Sequence, residues 1–271
     1  MSLFLCDRKK ELMNMRLLAS DYDGTLRYAK HVMQEDLDAI HKWKEQGNLF
    51  AIITGRPFDS IIENIKEYDL PCDFIVTNNG AMVYDGLGNE LMASHLDLEA
   101  CKEVVSLAEN AENVAGYFLN DGKSRHCCTI DSNIMLARYP KIDCKYLECH
   151  DYILDKVQSI SQIVISTDTS QTASYLENVV NSNFNEVDAF ANRADVDIVP
   201  SGISKATGLE FIMEYENLKE ENVYAIGDAR NDIPMIKFAW HGMSMDTADE
   251  EVQMFSENTY SSIKELIEDI M

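Results

Sequence analysis

Positive charge is scarce in this chain. Its 271 residues hold 23 Lys and Arg against 47 Asp and Glu, a formal net charge of −24. Nucleic acids and anionic membranes are held by Lys and Arg that neutralise phosphates, so neither is expected as a partner. Long apolar runs are also missing. None reaches the ~20 residues that a helix needs to cross a bilayer. The first residues (MSLFLCDRKKELMNM) turn polar too early for a secretory signal, and a cytoplasmic protein is expected. Cysteine pairing is absent as well. The seven cysteines are an odd number and none stands in a C-x-x-C pair, which argues against a disulfide framework or a zinc ribbon. Cys144 and Cys149 precede His150, but no second His/Cys pair lies at zinc-finger spacing, so the cysteines read as reduced thiols. Repeats and low-complexity tracts are lacking.

What remains is an ordinary globular composition, 46% hydrophobic, in a chain long enough for two domains. Residues 16–20 (RLLAS), 48–53 (NLFAII), 74–77 (FIVT) and 222–226 (NVYAI) are short apolar runs. Between them, residues 34–46 place Leu37, Ile40 and Trp43 on one helical face and stop at Gly47, and Pro57 opens a second helix. Continuous apolar runs alternating with helices predict a parallel sheet buried on both faces. The pattern changes near residue 85, where Tyr84 to Asn89 reads as a turn between strands. Two units of helix followed by strands come next, with helices near 97–111, 151–158 and 170–182 and strands near 115–119, 125–130, 162–167 and 186–198. The first pattern resumes with a helix from Ser204. The expected fold class is α/β: a Rossmann-like parallel-sheet core built from residues 1–85 and 196–271, with an α/β domain inserted at 86–195.

Three apolar runs of the outer domain end in polar clusters: Asp21-Tyr22-Asp23-Gly24-Thr25, Thr54-Gly55-Arg56-Pro57 and Gly227-Asp228-Ala229-Arg230-Asn231-Asp232. Ligands of open parallel sheets bind beyond the carboxyl ends of the strands, so the clusters are expected to share one edge. Asp21, Asp23, Asp228 and Asp232 would then repel one another unless a hard divalent cation joined them. Mg²⁺ suits oxygen ligands of this kind, and the Gly24 turn would let a carbonyl from residue 23 approach it. Thr54 and Gly55 before a helix start form an anion site, and Lys205 at the start of another helix adds a point charge for phosphate oxygens. In Asp-x-Asp, Asp21 can attack phosphorus while Asp23 serves as acid and then base. Taken singly, each cluster also reads as a plain turn or helix cap. A Ca²⁺ loop starting at Asp21 fails, because its twelfth position is Val32 rather than Glu.

These residues resemble the haloacid dehalogenase (HAD) superfamily of phosphatases, in particular its Cof-type branch with a large α/β cap. The resemblance rests on DYDGT (21–25), ITGRP around Thr54, Lys205 in SGISKATGL and GDARNDIPMI (227–236), with TNNGAMVYDGLGNEL (77–91) similar to the entry into the cap. It implies Asp21 as nucleophile and Mg²⁺ ligand, Asp23 as acid/base that ligates through its carbonyl, Asp228 as the third ligand, and Asp232 supporting the metal shell. It implies that Thr54, Gly55, Lys205 and Asn231, with the backbone N–H of Tyr22, hold the phosphate. The implied activity is Mg²⁺-dependent hydrolysis of a small phosphorylated metabolite, a sugar phosphate or phosphorylated cofactor, through an aspartyl-phosphate. A phosphomutase of the phosphomannomutase type and a non-catalytic phosphate sensor are the alternatives. Departures are Ala229-Arg230 where the family often has Gly, and Asp246-Thr247 where it has small or amide residues. In the inserted domain, Asn120 to Lys123, Arg125, Arg138 and Arg193 are candidates for reading the leaving group.

Overall fold

The structure is a computed structural model that describes residues 15–140, 154, 157 and 159–271. Cys144, Cys149, His150 and, but for Leu154 and Val157, the helix expected at 151–158 lie outside the described residues.

Two sheets organise the described chain. The larger has eight strands in the order β15-β14-β13-β1-β4-β5-β6-β7. Its centre is β1 (Leu17–Ser20), a run buried on both faces as a parallel inner strand requires. β1 pairs in parallel with β4 (Leu49–Ile53) on one side and with β13 (Val223–Gly227) on the other, so elements from opposite ends of the sequence flank it. β5 (Phe74–Thr77), β14 (His241–Met245) and β15 (Thr259–Tyr260) extend the parallel part. β6 (Met82–Asp85) and β7 (Glu90–Ala93) close one edge antiparallel. A small hairpin of β2 (Arg27–Tyr28) and β3 (His31–Val32) follows β1.

Helices cover both faces of this sheet. α1 (Gln34–Glu45) buries Leu37, Ile40 and Trp43 as its periodicity predicts, and the Trp43 indole donates to the Leu49 carbonyl at 2.8 Å. Gly47, at φ +81°, lets the chain turn into β4. α2 (Phe58–Glu67) begins one residue after Pro57, which occupies the cap position. The expectation had Pro57 opening the helix; boundaries of this kind shift by a residue with cap geometry.

The smaller sheet is antiparallel throughout, in the order β11-β12-β10-β8-β9. Its strands are β8 (Val114–Asn120), β9 (Arg125–Thr129), β10 (Gln162–Thr167), β11 (Val187–Asn192) and β12 (Asp195–Pro200). Alternation sorts its side chains. Tyr117, Leu119, Ile163, Ile165, Val196 and Ile198 pack with α3 (Leu98–Asn110) and α5 (Ser170–Asn183). Phe118, Cys127 and Val164 lie on the other face with Met135 of α4 (Ser132–Arg138), a short helix the pattern did not predict. Asp195 and Asp197 share that second face, which looks toward the larger sheet. The helices α6 (Lys205–Tyr215), α7 (Ile233–Phe238), α8 (Glu250–Gln253) and α9 (Ile263–Ile270) complete the core.

The two sheets place the crossings between core and cap differently from the change in sequence pattern. β7 lies after residue 85 yet pairs with β6 in the core sheet, and β12 runs to Pro200 yet pairs with β10 and β11 in the cap sheet. The pattern change marks where antiparallel strands begin, and such strands occur in both sheets. Among the described residues no helix is long and apolar enough to cross a membrane.

Candidate active site

The order β13-β1-β4 brings the three polar clusters to one edge, because each follows the carboxyl end of a neighbouring strand. Lys205 joins them from the first turn of α6. It is 1% exposed, and its ammonium donates to Oδ1 of Asp21 and to Oδ1 of Asp232, each at 2.5 Å. Burial alone would lower its pKa; the two carboxylates outweigh this and raise it above the ordinary lysine value. It is therefore a fixed cation.

Asp21 is buried at the end of β1. Burial pushes its carboxyl well above the ordinary range; Lys205 opposes this, and Asp232 and Asp228 add to it by repulsion. Asp228 is raised in the same direction by burial and then by Asp232. The Thr25 hydroxyl donates to Asp228 Oδ1 at 2.8 Å. Asp232 accepts the backbone N–H groups of Asp228 and Ala229 through Oδ2, at 3.0 and 2.9 Å. One carboxylate oxygen each from Asp21, Asp228 and Asp232 lies within 4.8 Å of the others. This is a hard, all-oxygen donor set whose members repel one another, and it fits a small divalent cation. Gly24 is needed beside it: φ is +109°, and a Cβ there would meet the Asp228 carboxylate at 2.2 Å.

Asp23 points elsewhere. Its carboxylate is gripped by the Arg56 guanidinium, with Nη2 to Oδ1 at 2.6 Å and Nε on Oδ2, and Arg27 reaches it at 3.2 Å. Arg56 stands in the Thr54 cluster, but no role was read for it in the sequence. Arg56 also lies over the Tyr22 ring, 5.1 Å from its centroid. The Tyr22 hydroxyl donates away from the site, to Asn64 at 3.1 Å. Thr54 is buried, and its hydroxyl accepts the Arg56 N–H at 3.2 Å.

The turn Asn78-Asn79-Gly80, read in the sequence only as a turn and cap entry, reaches Thr54, Gly55, Ser204 and Asn231. All three residues have positive φ. The Asn79 N–H donates to the Thr54 carbonyl at 3.1 Å, and its amide lies against Gly55, where a Cβ would stand 3.0 Å from Nδ2. Gly80 packs so closely on Ser204, just before Lys205, that a Cβ would meet the Ser204 carbonyl at 1.9 Å. The Asn79 side-chain oxygen Oδ1 accepts from Asn231 Nδ2 at 2.9 Å, and Asn79 Nδ2 donates to Asp197 of the cap at 3.0 Å. The twin-asparagine turn was the only signal for this.

Between core and cap lies a cavity of about 490 Å³, bordered on the core side by Asp21, Asp23, Gly55, Arg56 and Asn231. On the cap side Phe118, Arg125, Tyr139, Arg193, Asp195 and Asp197 border it. Of the cap candidates, Arg125 and Arg193 reach this cavity. Arg138 is engaged by Asp195 at 2.7 Å and by Ser166. Asn120 is buried against Gln162, and the following loop docks on the core, where the Tyr84 hydroxyl donates to the Gly122 carbonyl at 2.6 Å and the Asp59 N–H to Lys123 at 3.2 Å. Arg230 pairs with Glu177 of α5 at 3.5 Å and with Glu251 at 3.3 Å, which gives this departure from the family pattern a place at the cap contact. Thr247 borders a second cavity with Asp228 and Arg193.

Comparison with known proteins identifies a family. The sequence profile of the haloacid dehalogenase-like hydrolases matches residues 18–265. The 5-amino-6-(5-phospho-D-ribitylamino)uracil phosphatase YitU of Bacillus subtilis is 27% identical over 255 residues, which cover 92% of this chain and 93% of the relative. BT1666 from Bacteroides thetaiotaomicron, described among phosphatases of the superfamily, superposes with a TM-score of 0.79 at 24% identity, covering 94% of each chain. TM0651 from Thermotoga maritima superposes at 0.76 with 22% identity, over 95% of this chain and 98% of its own. A parallel-sheet core under an antiparallel cap, a buried lysine among aspartates and a profile that spans nearly the whole chain coincide: the protein belongs to the haloacid dehalogenase-like hydrolases, in their Cof-type branch, and is a phosphoric monoester hydrolase.

Proposed function

We propose that the chain hydrolyses small phosphomonoesters with Mg²⁺, through an acyl phosphate on Asp21. The observation that carries this is the meeting of Asp21, Asp228 and Asp232, with Lys205 bonded to Asp21 and Asp232, beside a cavity that Asp21 borders between the two sheets. Asp21 and Asp228, with the carbonyl of Asp23, would hold the metal, and Asp232 would support its ligand shell. When bound, Mg²⁺ offsets the crowded carboxylates and the charge of the transferring phosphoryl group.

The chain's own residues do the rest. Lys205 holds one oxygen of Asp21, which leaves the other to attack phosphorus. As the new oxygen–phosphorus bond forms, the bond to the ester oxygen breaks, and that oxygen takes a proton from Asp23. Water then attacks the phosphorus of the acyl phosphate and gives a proton to Asp23 as the bond from phosphorus to the Asp21 oxygen breaks, which releases inorganic phosphate and restores the Asp21 carboxylate. Both Asp23 oxygens are engaged by Arg56, so this proton work requires Arg56 to let go. Thr54, Gly55, Lys205, Asn231 and the Tyr22 N–H surround the phosphoryl oxygens. The residues of the cap that border the cavity face the leaving group. The substrate printed for the YitU relative is one member of the small, phosphorylated class to be screened.

Asp21→Asn tests the proposal. With Mg²⁺ and 4-nitrophenyl phosphate, kcat is expected to fall by at least ~1,000-fold, and chelation of the metal is expected to silence the wild type reversibly. Turnover by Asp21→Asn within about twofold of wild type would overturn the assignment.

A further inference from the structure

Asp197 is the second cavity-facing position of β12, between Val196 and Ile198, which are both in the cap core. It is 6% exposed, and the Asn79 amide is its hydrogen-bond partner among the described residues. A carboxylate so deeply buried with one neutral donor costs stability. Asn79 cannot move far. Its backbone is tied to Thr54, its amide lies on Gly55, and it is 1% exposed. Its amide can, however, point either way, because an amide donates at one end and accepts at the other.

An amide pair alone has no preferred direction. Asn79 and Asn231 would pair equally well with either as donor. An ionised carboxylate only accepts, and it breaks that symmetry. With Asp197 accepting from Asn79 Nδ2 at 3.0 Å, the Asn79 oxygen faces Asn231 and must accept from Asn231 Nδ2, as it does at 2.9 Å. One Nδ2 hydrogen of Asn231 is used there, and the other remains for an oxygen in the cavity that Asn231 borders. The Asn231 oxygen is left buried with no hydrogen-bond partner among the described residues, as this orientation of the pair requires.

We propose that Asp197 of the cap, through Asn79, fixes the Asn231 amide with its N–H end toward the substrate phosphate. Asp197 and Asn79 are positioning residues, and Asn231 makes the contact. The inference rests on the phosphatase reading, with Asn231 at the phosphate. It couples cap to core: with Asp197 absent, Asn79 can reverse, and Asn231 can turn a carbonyl oxygen toward the phosphate oxygens, where it repels them.

The test uses the full chain with Mg²⁺, measuring kcat and KM for 4-nitrophenyl phosphate and the competitive inhibition constant of inorganic phosphate. Asp197→Ala is expected to weaken phosphate inhibition and raise KM by about tenfold, the worth of one charge-assisted contact. N79D sets two carboxylates face to face and should lose as much or more. The double variant D197N/N79D reverses the first bond, yet still presents Asn231 with an acceptor. It is expected to return to within about threefold of wild type. A merely structural role predicts that the two changes add or worsen, not that the second rescues the first. An unchanged phosphate inhibition constant in Asp197→Ala, or a double variant no better than N79D, would overturn the inference. If N79D does not fold, Asp197→Ala decides alone. A wild type that neither hydrolyses the ester nor binds phosphate would instead bring down the phosphatase reading itself.

Discussion

Lys205 and Asp197 are two buried charges with opposite accounts. Lys205 has two carboxylate partners, and removing it leaves both uncompensated. Lys205→Met is expected to cost about 3 kcal/mol in urea unfolding, in line with buried pairs broken on one side. Saturating Mg²⁺ should restore part of that, because a cation can take over the neutralisation. The hydrogen-bond partner of Asp197 among the described residues is the neutral Asn79 amide, and burial lifts its carboxyl to about 6 from the ordinary 3.8. The sign follows from proton linkage. Between those two values the folded protein binds the proton more tightly than the unfolded chain, so stability falls as pH rises through about 4 to 6. The loss is complete above about 6 and amounts to about 3 kcal/mol for a shift of this size. Asp197→Asn removes a charge that is penalised only at the higher pH. Its melting temperature should exceed that of wild type at pH ~7.5 and match it near pH ~4. Equal differences at both pH values would exclude Asp197 as the source.

At the scale of elements, the site depends on how loops leave strands. The β1 loop must bend at Gly24 to bring Asp23 past Asp228, and it does so with a backbone that only glycine adopts freely. Gly24→Ala adds both an unfavourable φ and a Cβ 2.2 Å from the Asp228 carboxylate. It should destabilise the fold by about 1–3 kcal/mol and weaken Mg²⁺ binding at least tenfold, read from Mg²⁺ titration of the melting temperature. The cap shows how alternation alone divides labour. In β12 the odd positions Asp195 and Asp197 face the cavity while Val196 and Ile198 face the cap core. A register slip of one residue would bury both carboxylates in the apolar layer, so the hairpin at Arg193 holds the site as well as the sheet.

For the whole molecule, a net charge of −24 surrounds a site proposed to bind an anion. The attraction is local, from Lys205, Arg56 and the proposed metal, and the long-range field opposes it. Screening should therefore help: kcat/KM for a phosphate ester is expected to rise modestly between about 10 and 150 mM NaCl, where the Debye length shrinks from ~30 to ~8 Å. A steady fall over that range would show that local cations dominate the approach.

What the sequence by itself determined was the class of fold and most of the residues that meet at the candidate site. Apolar runs of parallel-strand length, each ending in a polar cluster, announce a sheet edge where Asp21, Thr54 and Asp228 meet, and Lys205 at its helix start is a candidate to join them. Those signals are local in the chain and survive translation into one dimension. Only the tertiary structure decided that Asp23 faces Arg56, that Arg138 is spent on Asp195 while Arg125 and Arg193 reach the cavity, and that β7 and β12 belong to the core and cap sheets respectively. It alone brought Asn79 between Asp197 and Asn231. Those facts rest on contacts between residues up to 152 positions apart, and on side-chain directions that depend on packing rather than on spacing.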